Sequence, residues 1–288
     1  MSIIGAILRL TRIEHSVMLC IAVVSAEMLS GGIPSPEILV LSLLTPIFIS
    51  MSAFAINDYF DVEVDRANKK MRPLVTGELS MNTALYVTGV SMFVGLVASL
   101  FINTYAFSIA VLFGVASLLY GYRLKEMLFW GNAYIAFSMA IPFIFGNFVV
   151  SRDLAPAIIP VSTMIFLSGL SREIHGTIRD LKGDLRARDV HTLPKVIGRS
   201  ASSVLALLLY AIAIAISAYL FISVAPFERN VTYVFPILLV DVMLAYVGIG
   251  YVYRKTQRFY SLARNVSLFA MALALITILA AAVVHVGV

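Results

Sequence analysis

The sequence has few charged residues and almost no cysteine. Charged side chains make up 13% of its 288 residues and hydrophobic side chains 60%, whereas soluble globular proteins carry about 25% charged residues. A soluble domain is therefore excluded. The single cysteine, Cys20, rules out an internal disulfide and is best interpreted as a small apolar side chain within a helix. Residues 1–288 are predicted to form one integral membrane domain.

Long uncharged runs predict an all-α, polytopic membrane protein with nine transmembrane helices. A spanning helix needs about 20 mostly apolar residues. Glu27 interrupts the first run and Asp241 the eighth, and a long run between Glu78 and Arg123 is read as two spans joined near Asn103. The predicted spans are 16–36, 38–56, two within 82–122, 127–151, 154–171, 200–227, 230–253 and 265–284.

The positive charges predict the orientation of these helices. Nine spans divide the polar segments into two alternating sets, and 19 of the 21 lysines and arginines fall in the set that contains the N-terminus. Only Arg152 and Arg229 fall in the other. Lysine and arginine in short loops mark the cytoplasmic side, so the N-terminus is predicted inside and the C-terminus outside. The net charge of +5 is then an orientation signal in a protein surrounded by membrane lipids, and no nucleic-acid partner is expected.

One stretch concentrates charge at the end of the second predicted span, "AINDYFDVEVDRANKKMRP" at 55–73. Asn57, Asp61 and Asp65 are spaced four residues apart and lie on one helix face, with Asp58 near its edge. Such carboxylates repel one another unless something positive lies between them. The neighbouring cations can form an interfacial ion-pair network, or the carboxylates can hold a divalent metal such as Mg²⁺.

A second acidic face follows the sixth predicted span, within "SREIHGTIRDLKGDLRARDVHTLPKVIG" at 171–198. Glu173, Asp180 and Asp184 recur at spacings of seven and four. Both faces follow even-numbered spans and so lie on the same side of the membrane. Two carboxylate faces surrounded by lysine and arginine predict a site for a diphosphate bridged by Mg²⁺.

The relation between the two acidic faces predicts an internal repeat. They are four spans apart, so helices 1–4 (about 1–125) and helices 5–8 (about 126–255) are predicted to form two distantly related halves, followed by a ninth helix that runs to 288.

Three segments resemble the signature motifs of the UbiA-type intramembrane prenyltransferases: "NDYFDVEVD" with "DRANKKMRPLVTGELS" after it, and the later "DLKGD". The resemblance implies a nine-helix enzyme that uses Mg²⁺ and an isoprenyl diphosphate donor. It assigns catalysis to Asp61, Asp65, Asp180 and Asp184, and metal binding to these four together with Asp58. "YGYRLK" at 120–125 matches a further diphosphate-binding segment. The resemblance implies substrate binding by Asn57, Asp58, Lys125 and one of Tyr120 or Tyr122. Arg66 and Arg72 are added because they lie near the first motif in sequence, and Glu173 because it shares the second acidic face.

Within that family, "SREI" and "GD…TLPKVIG" look most like the archaeal members that transfer a geranylgeranyl group from geranylgeranyl diphosphate to geranylgeranylglyceryl phosphate, a lipid-like acceptor. The expected location is the cell membrane, with the active site on the cytoplasmic side. Helix 1 and the cytoplasmic loops are expected to receive the acceptor's phosphate, with cations from Arg9, Arg12 and the seven lysines and arginines between 172 and 199. The departing diphosphate, Asp61 or Glu173 is expected to take the acceptor's proton.

Other functions remain open from the sequence. The main alternative is an aromatic prenyltransferase of quinone biosynthesis, acting on 4-hydroxybenzoate or a naphthoate. An organic-anion transporter is disfavoured because the charged residues cluster at helix ends rather than at the membrane midplane. A non-catalytic scaffold is disfavoured because it would not need two facing carboxylate arrays. His175 is expected in a solvated loop and Glu27 at the outer interface, whereas Asp241 is expected to serve the reaction or to form an interhelical hydrogen bond.

Overall fold

The structure is a computed structural model that describes residues 2–127, 129–187 and 192–287, without the side chains of 126 and 182–187. Within these ranges it is helical and contains no β-strand. The α-helices are α1 Ile3–Thr11, α2 Ile13–Ser30, α3 Pro36–Ala67, α4 Met81–Leu100, α5 Thr104–Tyr122, α6 Trp130–Val150, α7 Ile158–Ala187, α8 Leu193–Val196, α9 Arg199–Ser223, α10 Val231–Tyr253 and α11 Gln257–Val286, with a 3₁₀ turn at Leu124–Glu126.

The membrane-protein fold is confirmed. In the described part of the chain, eight helices are long and apolar enough to cross a membrane: α2 to α6 and α9 to α11. Each of the nine predicted spans corresponds to a helix, but α7 is not among these eight. Only its first half is apolar, and its second half carries polar residues from Arg172 onward. The count of nine spans and their orientation remain predictions.

Local sequence determines where the spanning helices begin. Ser35, Ser80 and Asn103 precede α3, α4 and α5, and each side chain accepts a hydrogen bond from the backbone N–H three residues later. Such caps satisfy N–H groups that have no partner within the helix. Pro36 follows Ser35 at the first position of α3, where a missing N–H costs nothing.

Helix α1 is a short amphipathic segment that leads into the first span. Ala6 and Leu10 are buried in a small cluster beside α3, whereas Ile3 and Ile4 are exposed. Arg12 joins α1 to α2 with a φ of 47°, in the left-handed region that non-glycine residues seldom adopt. The chain therefore turns sharply at Arg12, at the same end of the bundle as the first acidic motif.

Helices α2 and α6 cross closely because Gly146 has no side chain. A Cβ at Gly146 would lie 2.5 Å from the carbonyl oxygen of Val23 and 2.9 Å from the Cβ of Ala26. Real Cβ atoms do not approach backbone that closely, so a larger residue would push the two helices apart. Other residues of the same two helices, among them Ala22 and Phe143, line the cavity described below.

Replacing Gly146 with alanine is expected to reduce the free energy of unfolding by about 2 kcal/mol, because overpacking at a backbone contact forces the helices to shift. The matched control is Gly89→Ala in α4, where a Cβ would meet nothing within 4 Å. Since alanine is the better helix former, that variant is expected to be neutral or slightly stabilised. Thermal unfolding of both purified variants in the same detergent checks this. Equal stability of the two would contradict the close crossing.

Candidate active site

A cavity of about 470 Å³ lies inside the bundle between helices α2, α3, α5, α6, α7, α9, α10 and α11. Most of its wall is apolar. Polar residues gather at one end, where the lining includes Arg12, Asn57, Tyr120, Arg172 and Glu173. Asn57 of the first motif and Glu173 of the second acidic face thus line the same space, from α3 on one side and α7 on the other.

The first motif lies on the last turns of α3, which runs without interruption from the apolar span to Ala67. Asn57 donates a hydrogen bond from Nδ2 to Asp61 Oδ2 at 3.1 Å. Lys125, from the turn after α5, donates to Asp61 Oδ1 at 2.7 Å. The Lys125 side chain is 10% exposed, so this contact is largely shielded from water. The structure therefore brings Asn57, Asp61 and Lys125 together.

Asp58 is buried and faces two arginines. Its Oδ1 accepts a hydrogen bond from Arg12 Nη2 at 2.8 Å and another from Arg72 Nη1. The residue is 2% exposed. A buried carboxylate requires this kind of compensation, because removing its charge from water is costly. Asp58 thus fixes two guanidinium groups beside the polar end of the cavity.

Asp65 is also buried, with 1% of its surface exposed. Lys70 Nζ lies 2.8 Å from its Oδ1 and Arg72 Nη1 lies 2.9 Å from its Oδ2. The second contact is an ion pair without hydrogen-bond alignment, so within the described residues Asp65 Oδ2 has no aligned donor. Arg72 bridges Asp58 and Asp65 and joins the two carboxylates into one network.

The second motif lies on α7, a continuous helix to Ala187. Glu173 lines the cavity and contacts Arg172 Nη1 at 2.9 Å. Asp180 lies two turns further along and accepts two hydrogen bonds from Arg179, at 2.7 and 2.6 Å. Its side chain is 51% exposed. The side chain of Asp184 lies outside the described residues.

The described side chains include no group of three or more acidic, histidine or cysteine residues placed to hold a metal ion. Mg²⁺ commonly takes only one or two protein carboxylates and completes its shell with water and substrate phosphates. Asp61 and Asp65 supply hard oxygen atoms one turn apart, and Asp65 Oδ2 is buried without an aligned donor. The residues present therefore fit Mg²⁺ bound jointly with a phosphorylated ligand.

The remaining predicted binding residues divide into two groups. Tyr120 lines the cavity, and its ring stacks on Tyr134 at 4.6 Å between centroids. Tyr122 is 65% exposed and packs its edge against Phe60 outside the cavity lining. Arg66 lies on the exposed side of α3, where it pairs with Glu63 at 2.8 Å. Of the two tyrosines, Tyr120 is thus the one placed to meet a ligand.

One expectation about buried polar residues was wrong. His175 is not in a solvated loop: it lies within α7, is 3% exposed, and stacks on Tyr251 at 3.9 Å between ring centroids. Glu27, expected at the outer interface, lies in the last turn of α2 and is fully buried against other helices. In both cases helix packing, which cannot be read from charge spacing, places the side chain inside.

Sequence reasoning gave Arg12 too small a role. It was assigned only to the acceptor's phosphate, yet its guanidinium hydrogen-bonds Asp58, lies 4.7 Å from the Phe54 ring centroid and lines the cavity. The available signal was an arginine directly before the first apolar run, on the same side of the membrane as both motifs. Its contact with a residue 46 positions later required the fold.

The chain belongs to the UbiA prenyltransferase family, whose sequence pattern it matches over residues 17–276. This confirms the resemblance found in its motifs. The digeranylgeranylglyceryl phosphate synthase of Archaeoglobus fulgidus is 39% identical over 282 residues, which cover 96% of this chain and 95% of that protein. The synthase of the same name from Pyrococcus horikoshii is 34% identical over 219 residues, or 76% of each chain.

Solved structures agree with this family assignment. A structure of digeranylgeranylglyceryl phosphate synthase superposes with a TM-score of 0.81 at 25% identity, covering 98% of this chain and 99% of that one. A UbiA homologue from Archaeoglobus fulgidus, bound to GPP and Mg²⁺, superposes with a TM-score of 0.66 at 21% identity over 95% of this chain and 99% of its own. The second likeness concerns the fold alone.

Proposed function

We propose that this protein transfers a geranylgeranyl group from geranylgeranyl diphosphate to geranylgeranylglyceryl phosphate, in a Mg²⁺-dependent reaction that forms an archaeal ether-lipid precursor. The observation that carries the proposal is a single cavity with an ionic end and an apolar interior. Such a space suits a ligand with a polyanionic head and a hydrocarbon tail. The named relatives that resemble this chain support the choice of donor and acceptor.

The donor's diphosphate is assigned to the ionic end of the cavity. Asp61 and Asp65 from α3, with Asp180 and Asp184 from α7, would hold Mg²⁺, which neutralises the charge of the leaving diphosphate when bound. Lys125, Arg12 and Arg72 already lie beside the α3 carboxylates and would bind diphosphate oxygens directly. Lys70 pairs with Asp65 and could bind the diphosphate in the same way. Arg66 pairs with Glu63 on the exposed side of α3, so we assign it no direct contact with the diphosphate.

Asp58 is assigned a positioning role rather than metal binding. Its Oδ1 is already shared by two guanidinium groups, and the residue is buried. Holding Arg12 and Arg72 in fixed orientations prepares donors for the charge that develops as the C–O bond of the donor breaks.

The apolar interior protects the reacting carbon. Once the diphosphate leaves, the allylic cation must be kept from water, and the cavity wall supplies that exclusion. Tyr120 lines the cavity near its ionic end and can stabilise the cation through the ring face that does not stack on Tyr134. Glu173 faces the same space, and we assign to it the proton of the acceptor hydroxyl.

The ionic end is proposed to face the cytoplasm. Arg12, Lys125 and Arg172 all lie there, in segments that carry 19 of the 21 lysines and arginines. The matching lengths and positions of α3 and α7 also support the proposed division into two related halves, since each continues from an apolar half into an acidic motif.

The test is transfer of labelled geranylgeranyl diphosphate to geranylgeranylglyceryl phosphate by the purified protein. Labelled ether lipid is expected to form in the presence of Mg²⁺. Its formation is expected to stop when a chelator is added and to resume when Mg²⁺ is added back. Absence of labelled ether lipid in the presence of Mg²⁺, from protein that elutes as a single folded species, would refute the proposal.

A further inference from the structure

Asp241 places a carboxyl group on the wall of an otherwise apolar part of the cavity. It lies in the middle of α10 and lines the cavity among Ala213, Ile237 and Leu244. Its Oδ2 lies 2.6 Å from Ser217 Oγ of α9, and the single proton of that hydroxyl is shared between Asp241 and the carbonyl of Ile214, 2.8 Å away. An ionisable group inside a membrane bundle is costly and needs a reason.

Asp241 and Ser217 form a supported pair rather than a loose polar contact. Ser217 is 1% exposed, and its backbone carbonyl lies 3.3 Å from the hydroxyl of Tyr233, which is fully buried. Two hydrogen bonds therefore join α9 and α10 at this level. The half-buried carboxyl itself keeps a face toward the cavity.

The distance between the ionic end of the cavity and the Asp241–Ser217 pair can be measured along the axis of α9. Ser171, next to the cavity residues Arg172 and Glu173, donates a hydrogen bond to the carbonyl of Ala206 at 2.8 Å, which sets the level of the ionic end on α9. Ser217 lies eleven residues further along the same helix. At 1.5 Å per residue, that is about 16 Å deeper.

This depth matches the length of the proposed donor's tail. An extended backbone spans roughly 1.2 Å per bond, which makes a geranylgeranyl chain about 18 Å long. The cavity does not end at Asp241, because Ile237, one helical turn deeper, also lines it. The four residues from Asp241 to Ile237 span about 6 Å along α10, which is room for about one more isoprene unit. What opposes a longer tail at this level is therefore the polar carboxyl of Asp241 and not a lack of space.

We propose that Asp241, held by Ser217, determines which isoprenyl diphosphate the enzyme prefers by placing a polar band at the level where a geranylgeranyl tail ends. A longer tail must pass the carboxyl and strip it of water or of its polar partner, which is unfavourable. A shorter tail leaves apolar wall uncovered. This inference rests on the proposed function, since it assumes a donor with its diphosphate at the ionic end.

The first test uses the unaltered protein with Mg²⁺, the same acceptor, and geranyl, farnesyl, geranylgeranyl and geranylfarnesyl diphosphates. The donor kcat/KM is expected to rise with each isoprene unit up to geranylgeranyl and to fall at geranylfarnesyl. A rise that continues through geranylfarnesyl would overturn the inference. If no donor is turned over, both the proposed function and this inference are refuted. If the donors are turned over with the same kcat/KM whatever their tail length, only this inference is refuted.

The second test compares Asp241→Val with Asp241→Asn, which keeps size and polarity. The ratio of kcat/KM for geranylfarnesyl over geranylgeranyl diphosphate is expected to rise about tenfold in Asp241→Val, because an apolar wall then continues past this level. It is expected to stay at the wild-type value in Asp241→Asn and in the neighbouring control Val242→Ala, whose side chain is 65% exposed on the outer surface. A wild-type ratio in Asp241→Val, or an equal rise in Asp241→Asn, would overturn the inference.

Discussion

Replacing Asp61 with asparagine is expected to lower the rate of prenyl transfer about 100-fold or more while leaving the fold intact. The change removes a carboxylate charge where the proposed Mg²⁺ and diphosphate meet, and losing one such group usually costs this much. Asparagine preserves the size and shape of Asp61 but has one acceptor oxygen, so it can accept only one of the two hydrogen bonds that Asp61 Oδ2 and Oδ1 receive from Asn57 and Lys125. Initial rates at saturating Mg²⁺, together with the Mg²⁺ concentration needed for half-maximal rate, measure the effect.

The matched control is Glu63→Gln on the same helix. Glu63 has a 77% exposed side chain and pairs only with Arg66 among the described contacts, so its loss is expected to change the rate less than about twofold. Comparable losses in Asp61→Asn and Glu63→Gln would show that total acidity near the membrane, rather than a specific metal site, governs the rate.

Replacing Arg72 with methionine is expected to reduce the free energy of unfolding by about 3 kcal/mol, since breaking a buried ion pair leaves uncompensated charge behind. Arg72 contacts both Asp58 and Asp65, which are 2% and 1% exposed. Arg12 and Lys70 would then be their remaining described partners. Thermal unfolding in detergent provides the measurement, with donor KM recorded on the same preparation.

Arg66→Met is the control for Arg72→Met. Arg66 pairs with Glu63 on the protein surface, and the Arg66 side chain is 57% exposed. Its loss is expected to cost less than about 1 kcal/mol. The double variant Arg72→Met with Asp58→Asn removes a buried charge of each sign and is expected to recover part of the lost stability. Strictly additive losses in the double variant would contradict a direct coupling between Arg72 and Asp58.

Much of the fold could be predicted because the membrane imposes simple rules on sequence. Each uncharged run of sufficient length corresponds to a helix, and the first motif lies at the end of α3 as its four-residue spacing predicted. Asn57 and Asp61 are joined by a hydrogen bond, because side chains four residues apart on a helix are neighbours. Here local periodicity and the spatial arrangement agree.

The rest depended on contacts between distant segments. Asp58 and Asp61 look alike in sequence, yet one is enclosed by Arg12 and Arg72 and the other meets Lys125. No spacing rule distinguishes them, because their partners come from a turn before α2, a loop after α3 and a turn after α5. Asp241 became interpretable for the same reason, once α9 supplied Ser217 and a measure of depth.

The most direct test of the central claim is a competition between two acceptors in one reaction. Purified protein, Mg²⁺ and labelled geranylgeranyl diphosphate are mixed with equal concentrations of geranylgeranylglyceryl phosphate and 4-hydroxybenzoate, and the labelled products are separated and counted. Label is expected in the ether lipid, with Asp61→Asn reducing its formation about 100-fold. Label found only in the prenylated aromatic ring would contradict the proposed acceptor while leaving the membrane fold and the diphosphate site in place.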